Sequence, residues 1–255
     1  MLLRRAGREP RTLYTLSMTK LRSLTKSGFA LIPNLLDADA TNALANAIDE
    51  WSDSTSAAPR RRSGGTVFAL RNLLDVPAVR DCATGAPIRA VVEEVLGPGA
   101  FAVRGILFDK TPDANWKVPW HQDLSIAVKE QIEVSGFGPW SLKAGVVHVQ
   151  PPTGVLESML AVRLHLDDCG PANGPLRVLS GTHRFGRLEA GSIERLRGEF
   201  NEVTCPVASG GALLMRPLIL HASSAAKEPG RRRVVHLEFA AAELPGGLEW
   251  ETRVA

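Results

Sequence analysis

Residues 159–180 read MLAVRLHLDDCGPANGPLRVLS. Val162, Leu164 and Leu166 alternate with Arg163, His165 and Asp167, and Leu176 and Val178 flank Arg177 in the same way. Side chains of a strand point to alternate faces, so this period of two predicts two half-buried strands. Between them, Gly170, Pro171 and the Asn173–Gly174 pair are turn residues, because asparagine and glycine tolerate positive φ. The same texture extends outward from about residue 100: FAVRGILF (101–108), GVVHVQ (145–150), EVTCPV (202–207), GALLMR (211–216) and RRVVHLEFA (232–240). That spacing of short β-branched runs predicts an all-β sandwich or barrel. Upstream the pattern is helical. TKLRSLTKSG (19–28) stops at Gly28, FALIPNLL (29–36) is a short apolar strand, and DADATNALANAIDEW (37–51) is a helix capped by Asp37 or Asp39. SDSTSAAPRRRSGG (52–65) is a polar loop long enough for a lid, and APIRAVVEEVLG (86–97) is another helix.

The chain has 255 residues, 44% hydrophobic and 22% charged, which suits a soluble globular protein. No run approaches ~18 uncharged apolar residues, so no membrane span is expected. Cys82, Cys169 and Cys205 are odd in number and far apart. They form neither a disulfide framework nor a zinc knuckle, and a reducing cytoplasm is the expected compartment. The net charge of +3 is misleading, because residues 1–22 carry six basic side chains against Glu9 and leave the remaining 233 residues near −2. A body of that charge does not suit a nucleic-acid partner. Residues 1–22 are expected to be a basic, flexible tail and 23–255 a single domain. GPGAF and GGALL lack the spacing and the lysine of a phosphate loop.

His-x-Asp offers an imidazole and a carboxylate to one point in space if both lie on a strand. With a second imidazole it makes the two-histidine, one-carboxylate face that binds Fe(II) and leaves positions open for substrate and oxygen. The pair occurs twice, as His121–Asp123 within NWKVPWHQDLSI (115–126) and as His165–Asp167, so spacing alone does not choose between them. His221 closes the apolar run GALLMRPLIL. About ten residues later comes the arginine cluster Arg231, Arg232 and Arg233. A histidine at a strand end followed by arginine on the next strand suits a metal-chelating dicarboxylate, gripped bidentately at its far end.

LFDKTPDANWKVPWHQD, NGPLRVLSGTH and the His221–Arg232 spacing, in this order, resemble the phytanoyl-CoA dioxygenase-like branch of the Fe(II)/2-oxoglutarate-dependent oxygenases over about residues 28–240. The resemblance implies a mainly β, double-stranded β-helix (a cupin-like jelly roll) with flanking N-terminal helices. It implies His121, Asp123 and His221 as iron ligands and catalytic residues. Arg232 matches the arginine that grips the distal carboxylate of 2-oxoglutarate, and Lys110 and Ser223 match positions that contact this cosubstrate in some members. The family's usual Gly-Ser-His is Gly181-Thr182-His183 here, a departure away from the chemistry. O2 is the third reactant. Asp123 argues against a halogenase, since chlorinating members have a small residue in its place.

Strand alternation places Arg231 and Arg233 with Val235, Leu237 and Phe239, and Arg232 with Val234, His236 and Glu238. A pocket on the more apolar face would favour a neighbour, whereas the family spacing favours Arg232. His148, His183 and His236 are expected to be structural, and Trp116 is core or pocket wall. Trp120, Trp140, Arg163 and His165 are the candidates for contact with a small-molecule substrate. The expected activity is hydroxylation of an unactivated C–H with release of succinate and CO2. The alternatives are a zinc hydrolase using the same three ligands, which would have no need of Arg232 or Lys110, and a catalytically silent cupin-like binding protein.

Overall fold

The computed structural model describes residues 17–54, 59–61 and 67–255, with only the backbone described for 59–61, 67 and 68. The chain opens with α1 (Met18–Ser27), β1 (Phe29–Ile32) and α2 (Ala38–Ser54), followed by β2 (Pro59–Arg61) and β3 (Val67–Leu70). Next come α3 (Pro77–Thr84), α4 (Ala86–Leu96), β4 (Phe101–Lys110), β5 (Val118–His121), β6 (Ile126–Val128), β7 (Trp140–Lys143) and β8 (Val146–Val149). The remainder is α5 (Thr153–Glu157), β9 (Leu160–His165), β10 (Leu176–Leu179), α6 (Ile193–Glu199), β11 (Glu202–Cys205), β12 (Ala212–Met215), β13 (His221–Ser223) and β14 (Arg232–Ala240). No helix among the described residues is long and apolar enough to cross a membrane.

Seven antiparallel strands form the large sheet in the order β1-β12-β9-β14-β4-β3-β2, and a second sheet runs β11-β10-β13-β5. A small third sheet, β6-β8-β7, lies beside them. Mostly antiparallel sheets with helices at the N-terminus make this the jelly-roll architecture expected from the sequence. Alternation explains how the large sheet serves two environments. Val162 and Leu164 of β9 and Val235, Leu237 and Phe239 of β14 pack with Leu24, Leu44, Ile48, Val79 and Ile88 of the helices. Burying a stripe of that kind contributes roughly 1.5–3 kcal/mol per large side chain. The opposite face looks into the sandwich. One half of the interior is filled by Ala161, Leu176, Val178, Cys205, Leu213, Met215 and Ile219. The other half, between β4 and β14 on one side and β5 and β13 on the other, is hollow.

The caps follow the sequence closely. Gly28 ends α1 at φ 84°, donating its N–H to Leu24 O, and a Cβ there would meet the His183 ring at 2.4 Å. Of the two acidic cap candidates it is Asp37 whose side chain accepts the Ala40 N–H, at 2.8 Å. One boundary differs. The expected tail of residues 1–22 overlaps α1, which starts at Met18 behind an N-cap at Ser17, because Ser17 supplies the first-turn acceptor for Lys20 N–H. Residues 1–16 and most of the expected lid lie outside the described residues. Within that lid segment, 52–54 complete α2 and the backbone of 59–61 pairs with β3.

Candidate metal and cosubstrate site

β5 and β13 are antiparallel neighbours with His121 opposite His221, so pairing brings together two histidines 100 positions apart. The register then slips, with Ser223 opposite Val118, which places one extra residue on β5. A bulge of this kind shifts the side-chain phase, so Val118 and His121 both face the hollow although they are three apart. Asp123 lies just beyond the strand, its N–H bonded to Pro217 O at 3.0 Å. Gln122 locks the turn: its side-chain amide donates to Gly186 O at 2.8 Å and Leu218 O at 2.7 Å, and its oxygen accepts Leu188 N–H at 2.8 Å.

The two imidazoles are oriented alike. A carbonyl oxygen can only accept, so Nδ1–H of His121 donates to Pro119 O at 2.8 Å and Nδ1–H of His221 to Ile219 O at 2.9 Å. In the neutral imidazole this leaves Nε2 as the lone-pair nitrogen of both rings, the tautomer a metal requires. The Nε2 atoms lie 3.9 and 3.7 Å from the Asp123 carboxylate oxygens, and the rings are 4.2 Å apart between centroids. All three potential ligand atoms fall within 4.8 Å of one another. Burial alone would raise the Asp123 carboxyl, but the attraction of His221, His236 and His121 and of Arg104 outweighs it, holding Asp123 well below the usual carboxylate range. His221 is pushed down to about 3, chiefly by burial. Two neutral imidazoles and an ionised carboxylate are the donor set that suits a ferrous ion.

His165 and Asp167 are not brought together. β9 ends at His165, which is buried, while Asp167 faces outward and accepts Arg233 N, Nε and Nη2 at 2.7, 2.9 and 2.7 Å. Arg231 is likewise held on the outside by Asp49 and Asp109. Arg232 points into the cavity, where Nη1 donates to Gly174 O at 2.7 Å and meets Cys169 Sγ at 3.4 Å. The cavity is on the more polar face of β14, since helices cover the apolar one, so alternation and family spacing agree on Arg232 without any bulge near it. Gly174, at φ 57°, belongs to the Asn-Gly turn after β9, and a Cβ there would stand 2.6 Å from Ser224 O. Lys110 sits opposite Arg232 in register and bonds Ser223 Oγ at 3.2 Å and Ser224 O at 3.1 Å. Arg232, Lys110 and Ser223 thus gather at one end of the cavity, with His121, Asp123 and His221 on its wall.

Of the expected substrate contacts, Arg163 lines the cavity, whereas Trp120 and Trp140 are not among its lining residues. Trp120, next to the inward-facing His121, points to the other face of β5 by alternation, where Arg177 and Arg197 lie over its ring at 5.2 and 5.8 Å. Trp140 belongs to the small sheet, opposite Val149, and packs against the buried cluster that holds Ile126, Val128 and Val149. Trp116 does line the cavity, with Lys110 Nζ 5.0 Å from its ring centre. Three further residues were not singled out as functional by sequence. Arg104 pairs with Glu238, Glu238 accepts His236 Nε2–H at 3.1 Å, and Asp123, His236 and Glu238 form a second close cluster of potential ligand atoms. The available signal was a single charge inside an otherwise apolar strand: Arg104 in FAVRGILF and Glu238 in HLEFA.

His165 carries a pH prediction. Burial pushes its imidazole down to about 3, helped by Arg163 and Arg232, and its Nδ1 has no hydrogen-bond partner. The folded form keeps this ring neutral, while the unfolded chain protonates it near pH ~6.5. Its contribution is therefore complete above ~6.5 and lost as pH falls from there toward 3, at up to ~1.4 kcal/mol per pH unit. Urea unfolding at pH 6.5, 5.5 and 4.5 should show His165→Asn with a shallower acid slope than the parent by up to that amount. Equal slopes would refute the assignment.

The phytanoyl-CoA dioxygenase (PhyH) family model matches residues 24–234. The chain belongs to that family and is an Fe(II)- and 2-oxoglutarate-dependent oxygenase. Among solved structures it is similar to the non-heme alpha-ketoglutarate-dependent carbocyclase SnoK from nogalamycin biosynthesis, at 15% identity and TM-score 0.69 over 92% of this chain and 88% of that one. EctD from S. alaskensis with 2-oxoglutarate and 5-hydroxyectoine matches at 18% identity and TM-score 0.70, covering 91% and 79%. The epimerase SnoN in complex with Fe3+, alpha-ketoglutarate and nogalamycin RO matches at 18% and 0.66, covering 93% of each chain. No curated protein matches the chain in sequence.

Proposed function

We propose that the protein hydroxylates an unactivated C–H bond of a small-molecule substrate, with 2-oxoglutarate converted to succinate and CO2. The observation that carries this reading is the convergence of His121, Asp123 and His221 on one wall of a cavity whose end holds Arg232, a buried guanidinium with no carboxylate partner among the described residues. His121, Asp123 and His221 hold the iron. Arg232 grips the distal carboxylate of 2-oxoglutarate, and Lys110 and Ser223 complete that end. When bound, the iron and cosubstrate supply the oxidising power, and one oxygen atom of O2 reaches the substrate. The chain supplies geometry and dryness. The backbone-locked Nε2 atoms fix the metal face, Asp123 stays ionised, and Ile106, Phe108, Trp116 and Val118 exclude water from the reacting atoms. The SnoN and EctD complexes, each holding a small organic molecule beside the 2-oxo acid, support a small-molecule substrate.

Isotope labelling tests the reaction class. Iron-loaded protein given 2-oxoglutarate and pooled small molecules under 18O2 should form succinate and a product heavier by one 18O atom, and nothing under nitrogen. Turnover without oxygen, or product oxygen drawn from water, would point to a hydrolase instead.

A further inference from the structure

Five arginines on or beside the strands around the cavity divide by partner. Arg104 pairs with Glu238, Arg231 with Asp49 and Asp109, and Arg233 with Asp167 and Asp49. Arg163 and Arg232 have no carboxylate at ion-pairing distance among the described residues, yet they are 9% and 5% exposed and both line the cavity. If Arg232 takes the distal carboxylate of the 2-oxo acid, the charge on Arg163 still lacks a counterpart.

Arg163 stands on β9 opposite His236. It donates from Nη1 to His236 Nδ1 at 3.0 Å, so that nitrogen accepts and the ring proton is on Nε2, which donates to Glu238. An imidazole in this chain of bonds brings Arg163 no opposite charge. Arg163 Nε–H has no partner, and the Phe108 ring lies 5.2 Å from the guanidinium. Burial pulls this guanidinium down to about 10, against the attraction of Asp123 and with the repulsion of Arg232. An uncompensated buried cation is costly, and the cost is relieved when a ligand brings the counter-charge.

Its position indicates which charge. Arg163 bonds His236, whose potential ligand atom lies within 4.8 Å of one on Asp123, and it lines the same cavity as His121, Asp123 and His221, so it stands beside the candidate metal face. Arg232 belongs to the other end, four positions and ~13 Å of strand along β14 from His236. A chelating 2-oxo acid binds a metal through its keto oxygen and the adjacent carboxylate, which holds that carboxylate at the Arg163 end.

We propose that Arg163 is a second anchor for the 2-oxo acid, binding the carboxylate next to its keto group, so that the cavity grips a dianion at both ends. The proposal rests on the reading of this cavity as the 2-oxoglutarate site. It is tested by anaerobic titration of Fe(II)-loaded protein, following the visible charge-transfer band of the chelated acid. Two ligands are compared: 2-oxoglutarate, and 2-oxobutyrate, which has the same metal end and lacks the distal carboxylate. Arg163→Leu should weaken both at least tenfold and by similar factors, and Arg163→Lys should recover part of each loss. Arg232→Leu should weaken 2-oxoglutarate at least tenfold and 2-oxobutyrate less than threefold. Arg163→Gln, which keeps a donor for His236, carries the same expectation should the leucine variant fail to fold. A folded Arg163 variant that binds 2-oxobutyrate as tightly as the parent overturns the proposal, and the anchor then belongs to the substrate. A parent protein that takes up Fe(II) and binds neither acid overturns the underlying reading as well.

Discussion

His121→Ala, Asp123→Ala and His221→Ala should each abolish tight Fe(II) binding, while His165→Ala should leave it intact. Each of the first three removes one of the three proposed ligands converging on the same point, and among the described residues no other histidine is aimed there with its Nε2 freed by a backbone lock. Removing His165 deletes a ring that lies off that point, in a position where neither partner of the second His-x-Asp faces the other. Metal content after anaerobic loading and desalting is the measurement, with uncoupled succinate formation as a second readout. Iron loss in the His165 variant equal to that in the His121 variant would mean that the wrong pair has been assigned.

Arg232→Ala should weaken 2-oxoglutarate binding by about 2–4 kcal/mol, which is roughly thirtyfold to several hundredfold. The loss is large because the distal carboxylate would stay buried without its bidentate partner. Arg231→Ala and Arg233→Ala should change that affinity by less than about threefold, since both guanidinia are held on the helical side of the sheet by Asp49, Asp109 and Asp167. Arg233→Ala should instead lower stability, because it removes the ion pair and the two side-chain hydrogen bonds, from Nε and Nη2, that Asp167 accepts. Calorimetric titration of all three variants separates the two effects. A neighbour whose loss outweighs that of Arg232 would move the cosubstrate to the other face of β14.

Seven strand segments from residue 100 onward and the helices over 19–28, 37–51 and 86–97 were legible because period, cap and turn are local properties. Gly28 and Asp37 are examples, each acting within four residues of itself. Strands β5, β6, β7 and β13 were not recognised as separate elements. They are three or four residues long and carry no apolar run bounded by turn residues, so they are defined by the strands they pair with, β13 for β5 and β8 for β6 and β7. The candidate chemistry shows the same division. The residue types, two His-x-Asp pairs, a later histidine and three consecutive arginines, were in the sequence, and the family resemblance ordered them. Geometry in three dimensions was needed for the rest. Whether His165 and Asp167 share a face depends on where β9 ends. Which arginine enters the cavity depends on which face of β14 the helices cover. Pairing of β5 with β13 decides that His121 faces inward and its neighbour Trp120 outward, and the Arg104–Glu238 pair joins residues 134 positions apart. A sequence carries its periods and turns within a few residues, whereas strand pairing and sheet stacking join distant segments, so the site's composition was readable in advance and its orientation was not.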